Sequence, residues 1–438
     1  MRTSSSRSRW VGLIATFVPA LSVFAQDAMF RGGPTHEGVY PSSPPTLANL
    51  VWKFRTAGRV LSSPVVSGDA VFVGSTDNHL YAIDRAKGTQ RWKFATQGPI
   101  ASSPAVSGGL VYISSVDGKI YAVDAATGAQ RWAFTTKGER RFTAPGIHGA
   151  IPRTERMPDP FDVFLSSPTV VGGTLYIGSG DQNVYALDAA TGALRWSFGT
   201  GDVVHSSPAV ANGLVYIGSW DRNLYAIDAA TGREKWRYTT GNDTTIYNQI
   251  GIASSPAVTG GIVFVGGRDG HFHAVDAMTG ALRWKHDNRG GWTIGSPAVW
   301  GGVVYFATSD GRRFKALDAA TGAPKFDLEN KAISFGSPSI AGDLVYYGTS
   351  DGWLHAVDIR TGQFLSHFQS DGSRENGAKW TDSLGVFQSG RMYPDRTLDG
   401  MMIGMRTMFT VGSILSSPAI ADGVLYVGSA DGQLYALR

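Results

Sequence analysis

The chain has 438 residues and no cysteine, which excludes a disulfide staple, a Cys-ligated metal site, a c-type haem attachment and a lipid carried on Cys. Its 56 glycines exceed the usual share of about 7%, and no three-residue period accompanies them, so collagen is excluded and the excess reflects turns. The formal charge of +4 falls to +1 if the three arginines of the first 25 residues are removed, which leaves no blanket of positive charge to grip nucleic acid.

Those first residues read as a secretory signal peptide. Arg2, Arg7 and Arg9 precede a largely apolar run from Trp10 to Phe24, and Val23-Phe24-Ala25 fits a small-residue cleavage site with Gln26 as the new N-terminus. A retained anchor is the weaker reading, because the run is short and holds Pro19. No other stretch is long and apolar enough for a transmembrane helix. The expected location is the periplasm or the exterior. Residues 26–49 form a lead-in before the first strand.

From residue 50 onward one segment repeats. Its cleanest copy, Ser206 to Trp236, reads with the residues just after it as four short strands separated by turns at Asn212-Gly213, Asp221 and Thr231-Gly232. The Ser-Ser-Pro or Gly-Ser-Pro start recurs at Pro64, Pro104, Pro168, Pro208, Pro256, Pro297, Pro338 and Pro418, which makes eight units. A second mark, Ala-x-Asp-x-x-Thr-Gly-x-x-x-Trp, runs from Ala82 to Trp92 with Lys87 for Thr, then from Ala122, Ala186, Ala226 and Ala274. It decays at Ala316 to Phe326 and further at Ala356 to Ser366. The eighth unit ends at Arg438 without a fourth strand, and Leu50 to Phe54 supplies a spare one at the other end. A lone four-stranded sheet cannot bury both faces, so the copies must stack. The expected fold is all-β: an eight-bladed β-propeller of four-stranded antiparallel blades, closed by the N-terminal strand completing the C-terminal blade. Trp52, Trp92, Trp132, Trp196, Trp236 and Trp284 are assigned to packing between blades, each docking where a small Ala of a neighbouring sheet leaves room.

The segments SSPAV, VYIGS and LYALDAATG with the Trp that follows resemble the PQQ-like repeat family, over nearly the whole chain from Phe30 to Arg438. Phe30-Arg31-Gly32 with His36 and Gly38 is similar to the lead-in of its bacterial members. The family holds both quinoprotein alcohol dehydrogenases and BamB-type assembly factors, so the resemblance implies a fold and leaves the activity open.

Most Pro-to-Pro spacings are 40 or 41, but three are 64, 48 and 80. The extra residues, at about 136–161, 239–252 and 371–413, all fall between a fourth strand and the next first strand. Alternating strand direction then puts all three insertions on one face, where binding is expected. The first carries Arg140, Arg141, His148, Arg153 and Arg156 among Glu139, Glu155, Asp159 and Asp162, a mixture that suits internal salt bridges. The second holds Tyr247 and Asn248. The third holds Trp380, Phe387, Tyr393 and five methionines (Met392, Met401, Met402, Met405, Met408), which suit either an adaptable binding surface or a lid with its own small core.

Two series of positions depart from the consensus on that face. Among residues preceding the second-turn Asp, Trp220 and Arg268 stand out. Among those preceding the Ser-Ser-Pro or Gly-Ser-Pro start (Leu61, Ala101, Leu165, His205, Ala253, Ile294, Phe335, Leu415), only His205 is polar. His205, Trp220 and Arg268 are expected to converge beside Arg140, Arg141 and His148 as a ligand- or partner-binding sector. The alternative is that Trp220 packs beneath an insertion and Arg268 bonds a loop carbonyl. His271, His273 and His355 read as structural, and no metal ligand set is identified. Gly348 to Gly352 mimics a nucleophile elbow but sits in a repeat turn with no helix after it. The eight second-turn aspartates, from Asp77 to Asp431, are read as turn makers.

Two functions follow as expectations. The favoured one is a monomeric, cofactor-free binding or assembly scaffold similar to BamB, holding a protein or peptide of the outer-membrane assembly machinery. The alternative is a PQQ- and calcium-dependent dehydrogenase of alcohols or sugars, with Trp220 as stacking plate, Arg268 on a cofactor carboxylate, and Asp162 or Asp202 as nearest candidates for a general base. The resemblance implies an adjacent Cys pair against the cofactor in many quinoprotein dehydrogenases; its absence here and the lack of an acid at the channel-start positions weigh against that alternative and against catalysis.

Overall fold

The computed structural model describes residues 28–242 and 250–438. The expected leader, with Gln26, and Tyr247 and Asn248 lie outside the described residues. Among the described residues the chain forms eight four-stranded antiparallel sheets and one small hairpin, the architecture of an eight-bladed propeller. In the cleanest copy the strands are Ala209–Ala211, Leu214–Gly218, Asn223–Asp228 and Glu234–Thr239. Asn212 and Gly213 both take positive φ, 52° and 75°, as a two-residue hairpin turn between right-twisted strands requires. The second strand is buried throughout and the third is buried except at its ends, which accounts for their unbroken β-branched and aromatic runs.

The ring closes through its chain ends. Leu50–Arg55 pairs antiparallel with Gln433–Leu437, placing Trp52 opposite Ala436 and Phe54 opposite Leu434. Blade eight is therefore built from both termini, and no sheet edge is left open between first and last units.

The indoles hold neighbouring blades together, but their dock differs from the expected one. The Ala of the repeat mark faces the Trp of its own blade, as Ala82 faces Trp92 and Ala226 faces Trp236. The inter-blade dock is the turn glycine of the next blade. A Cβ added to Gly88, Gly128, Gly192, Gly232, Gly280 or Gly322 would come within 2.6–2.8 Å of Trp52, Trp92, Trp132, Trp196, Trp236 or Trp284 respectively. Each indole N–H also donates to a carbonyl beside that turn, from Trp52 to Arg85 and from Trp92 to Ala125 through Trp284 to Ala319. This explains the decay of the motif. Blade eight has no third turn, so blade seven needs no indole, and Ser366 stands in that place.

A second ring lies nearer the axis. The N–H of the second Ser in Ser-Ser-Pro donates to the hydroxyl of the corresponding Ser in the next blade: Ser63 to Ser103, Ser103 to Ser167, Ser167 to Ser207, Ser207 to Ser255, Ser255 to Ser296 and Ser296 to Ser337, at 2.8–3.2 Å. Ser417 donates back to Ser63 at 2.9 Å. The first Ser caps its own blade, as Ser206 accepts from Gly218 N–H at 3.1 Å. The small hydroxyl is what lets eight buried first strands share one crowded axis with their donors satisfied.

The lead-in seals the face opposite the insertions. Ala28 pairs with Val106, and the carbonyls of Pro34, Thr35, Glu37 and Gly38 accept from Val210, Val258, Val299 and Ile340, one first strand after another. The Arg31 guanidinium is buried and donates to the carbonyls of Pro297, at 2.5 Å, and Pro338. Burial without a carboxylate partner lowers its pKa to about 10. His36 is also buried; desolvation first and the Arg31 charge second push its pKa down to about 3, so it sits neutral. Gly38 has φ of +71°, and a Cβ there would run into the Arg31 guanidinium. Gly38→Ala is expected to destabilise the fold by about 1–3 kcal/mol, seen as a lower urea midpoint with unchanged far-UV circular dichroism.

Candidate functional site

All eight residues that precede the repeat starts, Leu61, Ala101, Leu165, His205, Ala253, Ile294, Phe335 and Leu415, line one axial space of about 50 Å³. Phe30 of the lead-in lines the same space. It has room for a water or two.

The third insertion closes the other end. It contains a short helix, α1 (Asp371–Asn376), and a longer one, α2 (Leu398–Thr410), whose N-terminus is capped by Thr397 accepting from Gly400 N–H at 3.1 Å. Met401, Met405 and Met408 fall on one side of α2 and are buried. With Phe387, Met392 and Phe409, Met405 and Met408 join a cluster that includes Leu61, Ile294, Phe335 and Leu415 of the channel mouth, while Met401 packs with Phe142 and Trp220 under the first insertion. The methionines are thus mostly the core of a lid, and the exposed apolar side chains of this insertion are Leu384 and Ile403. The first insertion meets the lid directly, with Ile151 N–H donating to the Arg396 carbonyl at 2.8 Å. It is organised by a hairpin of Thr143–Pro145 and Arg156–Pro158.

His205, Trp220, Arg268 and His148 do come together, and protein groups occupy them. Trp220 and Arg268 are each 1% exposed. Phe142 stacks on Trp220 with centroids 4.5 Å apart, and Arg268 lies over the rings of Trp220 and Trp292 at 4.6 and 4.7 Å. Trp220 therefore packs beneath the first insertion. Arg268 bonds a carboxylate: its guanidinium pairs with Asp159, which also takes His148 Nε2 at 2.8 Å. Burial alone would raise the Asp159 pKa, but Arg268 and His148 hold it well below the usual carboxylate range. His205 is clamped by two acids, Asp162 on Nδ1 at 2.6 Å and Glu139 on Nε2 at 2.8 Å. Burial would lower its pKa; Asp162 and Glu139 outweigh that and lift it to about 10. The Nε1 groups of Trp220 and Trp292 have no hydrogen-bond partner among the described residues, so these indoles act there through their ring faces.

The remaining candidates separate. Arg140 and Arg141 are exposed on the rim, and Arg140 Nε donates to the Gly180 carbonyl at 2.9 Å. Asp162 is taken up by His205 and by Phe142 N–H at 2.7 Å, and Asp202 accepts from Val203 N–H at 2.8 Å. His273 bonds Asp269 at 3.1 Å and Tyr238 at 3.0 Å, while His355 meets His367 at 2.9 Å. Among the described residues no group of three His, Asp or Glu is placed to hold a metal ion.

One carboxylate escaped the sequence reading. Seven of the second-turn aspartates make their turn. Asp221, for example, accepts from Asn223 N–H at 2.9 Å, Gly201 N–H at 2.7 Å and Tyr225 Oη at 2.6 Å. The turn-making reading fails at Asp310, which has no hydrogen bond or ion pair among the described residues. Thr308 Oγ1 accepts Arg313 N–H at 3.0 Å in its place. Lys315, standing where five other blades carry Tyr and two carry His, turns to Asp327 at 2.9 Å. Asp310 instead lines a recess of about 390 Å³ between the first and third insertions, with His148, Phe161, Trp292, Phe335, Tyr393 and Arg396 among the other lining residues. Asp310 is an exposed residue, yet partial desolvation in the recess raises its pKa, with His148 and Arg268 opposing. The signal was present in the spacing: six positions separate Asp310 from Ala316, where five separate Asp221 from Ala226.

Comparison with known proteins places this geometry. The sequence-family model described as outer membrane protein assembly factor BamB matches residues 46–151, 156–251 and 245–383. A search of curated protein sequences finds no significant match. Among solved structures, BamB from Moraxella catarrhalis superposes with a TM-score of 0.63 at 17% identity, covering 89% of this chain and 97% of that one. Quinohemoprotein alcohol dehydrogenase from Comamonas testosteroni gives 0.67 at 16% identity, covering 92% and 78%. A europium-containing methanol dehydrogenase gives 0.63 at 17%, covering 92% and 96%. At these identities the likeness is one of fold.

Two measurements check the buried network. Arg268→Met leaves Asp159 buried without its guanidinium and is expected to cost about 3–5 kcal/mol in chemical denaturation. The raised His205 pKa contributes stability that is fully present below pH about 6.5 and lost as the pH rises toward 10. Unfolding free energy of the wild type, less that of His205→Gln, should therefore fall across that interval.

Proposed function

The chain belongs to the family described as outer membrane protein assembly factor BamB, and on that premise we propose a periplasmic scaffold whose inserted face holds a protein or peptide partner. The observation that carries this reading is the closed channel. The lead-in fills one end and the lid the other, so the insertions present an outer surface and not an open mouth. Leu384, Ile403 and Ile151 are exposed on that surface, and Arg140 and Arg141 stand on its rim. No helix among the described residues is long and apolar enough to cross a membrane, and the basic-then-apolar pattern of residues 1–25 supports export. The partner is assigned to the outer-membrane assembly machinery, and the protein is taken to act as a monomer.

The quinoprotein reading finds less support in the residues present, which do not fit a planar anionic quinone. Trp220 is covered by Phe142 on one side and Arg268 on the other, so it offers no free plate. The cations of the sector already face Asp159, Asp162 and Glu139. The axial space holds about 50 Å³, well below the roughly 300 Å³ at which ordinary ligand pockets begin.

Two experiments test the proposal. A photo-crosslinking residue placed at Leu384 or Ile403 should trap a discrete envelope protein in cells, and one at Met278, in a turn on the opposite face, should not. Adducts from Met278 alone would overturn the choice of face. The purified chain from Gln26, given PQQ and Ca²⁺, should show neither saturable binding nor dye reduction with alcohols or sugars. Tight binding with turnover would overturn the scaffold reading.

A further inference from the structure

We propose that the recess between the first and third insertions binds an organic cation, a protonated amine or a guanidinium, with Asp310 as counter-ion and Phe161, Trp292, Phe335 and Tyr393 as walls. The proposal goes beyond the scaffold reading and does not depend on it.

The first ground is the release of Asp310. Seven blades spend the corresponding carboxylate on a turn, and Asp221 shows how completely, with two backbone donors and a tyrosine hydroxyl. In blade six one extra residue lengthens the turn, Thr308 takes over as acceptor, and Lys315 leaves for Asp327. The aspartate is then unpartnered among the described residues while lining a solvent-open recess of about 390 Å³. A structural aspartate freed of its structural duty and set in a recess is a group placed for something outside the chain.

The second ground is what surrounds it. Phe161 touches Phe335 with centroids 5.7 Å apart and meets His148 at 4.7 Å; His148 in turn meets Trp292 at 5.4 Å. The walls are a continuous aromatic belt, which attracts cations through ring faces and accepts the apolar part of a ligand. The third ground is the charge already balanced there. Arg268 and His148 both face Asp159, and Asp395 is held by Thr397 at 2.6 Å. Besides His148, the charged lining residues are the carboxylates of Asp310 and Asp395 and the exposed guanidinium of Arg396. Among the described residues the acids outnumber that cation, so the complementary ligand is positive. A lysine or arginine side chain of a partner and a free amine share this chemistry.

Isothermal titration of the full mature chain with benzylammonium, benzyl alcohol and benzoate tests the assignment. The ammonium should bind at least about tenfold more tightly than the neutral and anionic isosteres. Asp310→Asn should lose that preference with its thermal unfolding unchanged, whereas Asp221→Asn should lower the unfolding temperature and keep the preference. An N-acetylated, C-amidated Gly-Lys-Gly peptide separates the sources: tighter binding than benzylammonium indicates a partner side chain, and equal or weaker binding a free amine. Equal affinity for benzyl alcohol, preference for benzoate, absence of heat with benzylammonium, or an unaltered preference in folded Asp310→Asn would each overturn the proposal. The wild-type comparison of the three isosteres decides the matter even if a variant fails to fold.

Discussion

The ring stands on a single contact made again and again: an indole laid over a glycine that has no side chain to obstruct it. The indole brings a large apolar area and one donor, and the turn glycine offers a bare backbone surface and a nearby carbonyl. Neither partner can change alone. A Cβ on the glycine meets the ring, and a smaller ring leaves both the gap and the carbonyl unfilled. Blade six already shows a milder version, in which a Cβ added to Gly362 would stand 3.0 Å from the Phe326 ring. Trp52 makes the same contact across the chain ends, so the closing joint of the ring matches the others.

A closed ring leaves an axis that must be filled or used. Here it is filled. Serine hydroxyls satisfy the amides that crowd there, Arg31 and His36 enter from one face, and the methionine side of α2 covers the other. A buried guanidinium bonded only to carbonyls is held at a cost in charge desolvation, which its lowered pKa reflects. The lead-in offsets that cost by bonding the first strands of five blades. It becomes a strap that ties blades together from inside.

Charge burial recurs on the inserted face with a different balance. Arg268 with Asp159 and His148, and His205 with Asp162 and Glu139, set cations on the blades against acids of the first insertion. Such pairs add little net stability over an apolar filling, but breaking one is costly, and they fix where the loop can sit. The stacking of Phe142, Trp220, Arg268 and Trp292 holds the same sector in register. Polar residues that break the repeat pattern are thus fasteners of the insertion, and the recess lies between that fastened loop and the third insertion. Asp310 falls outside the fastening.

The sequence by itself determined the blade count, the closure of the ring and the rim that carries the insertions. These depend on period, turn chemistry and strand alternation, all of which are local and repeat along the chain. Asp159 and Arg268 lie 109 positions apart, and no periodicity relates them; only the folded ring brings them together. The dock of each indole was misplaced onto Ala for the same reason, since the true partner is set by how one blade leans on the next. The methionines of α2 could be surface or core until the channel mouth was there to receive them. Asp310 lies between these cases. Its extra residue is legible in the spacing, but that the lengthened turn frees a carboxylate into a recess was decided by Thr308, Lys315 and two insertions that meet only in space.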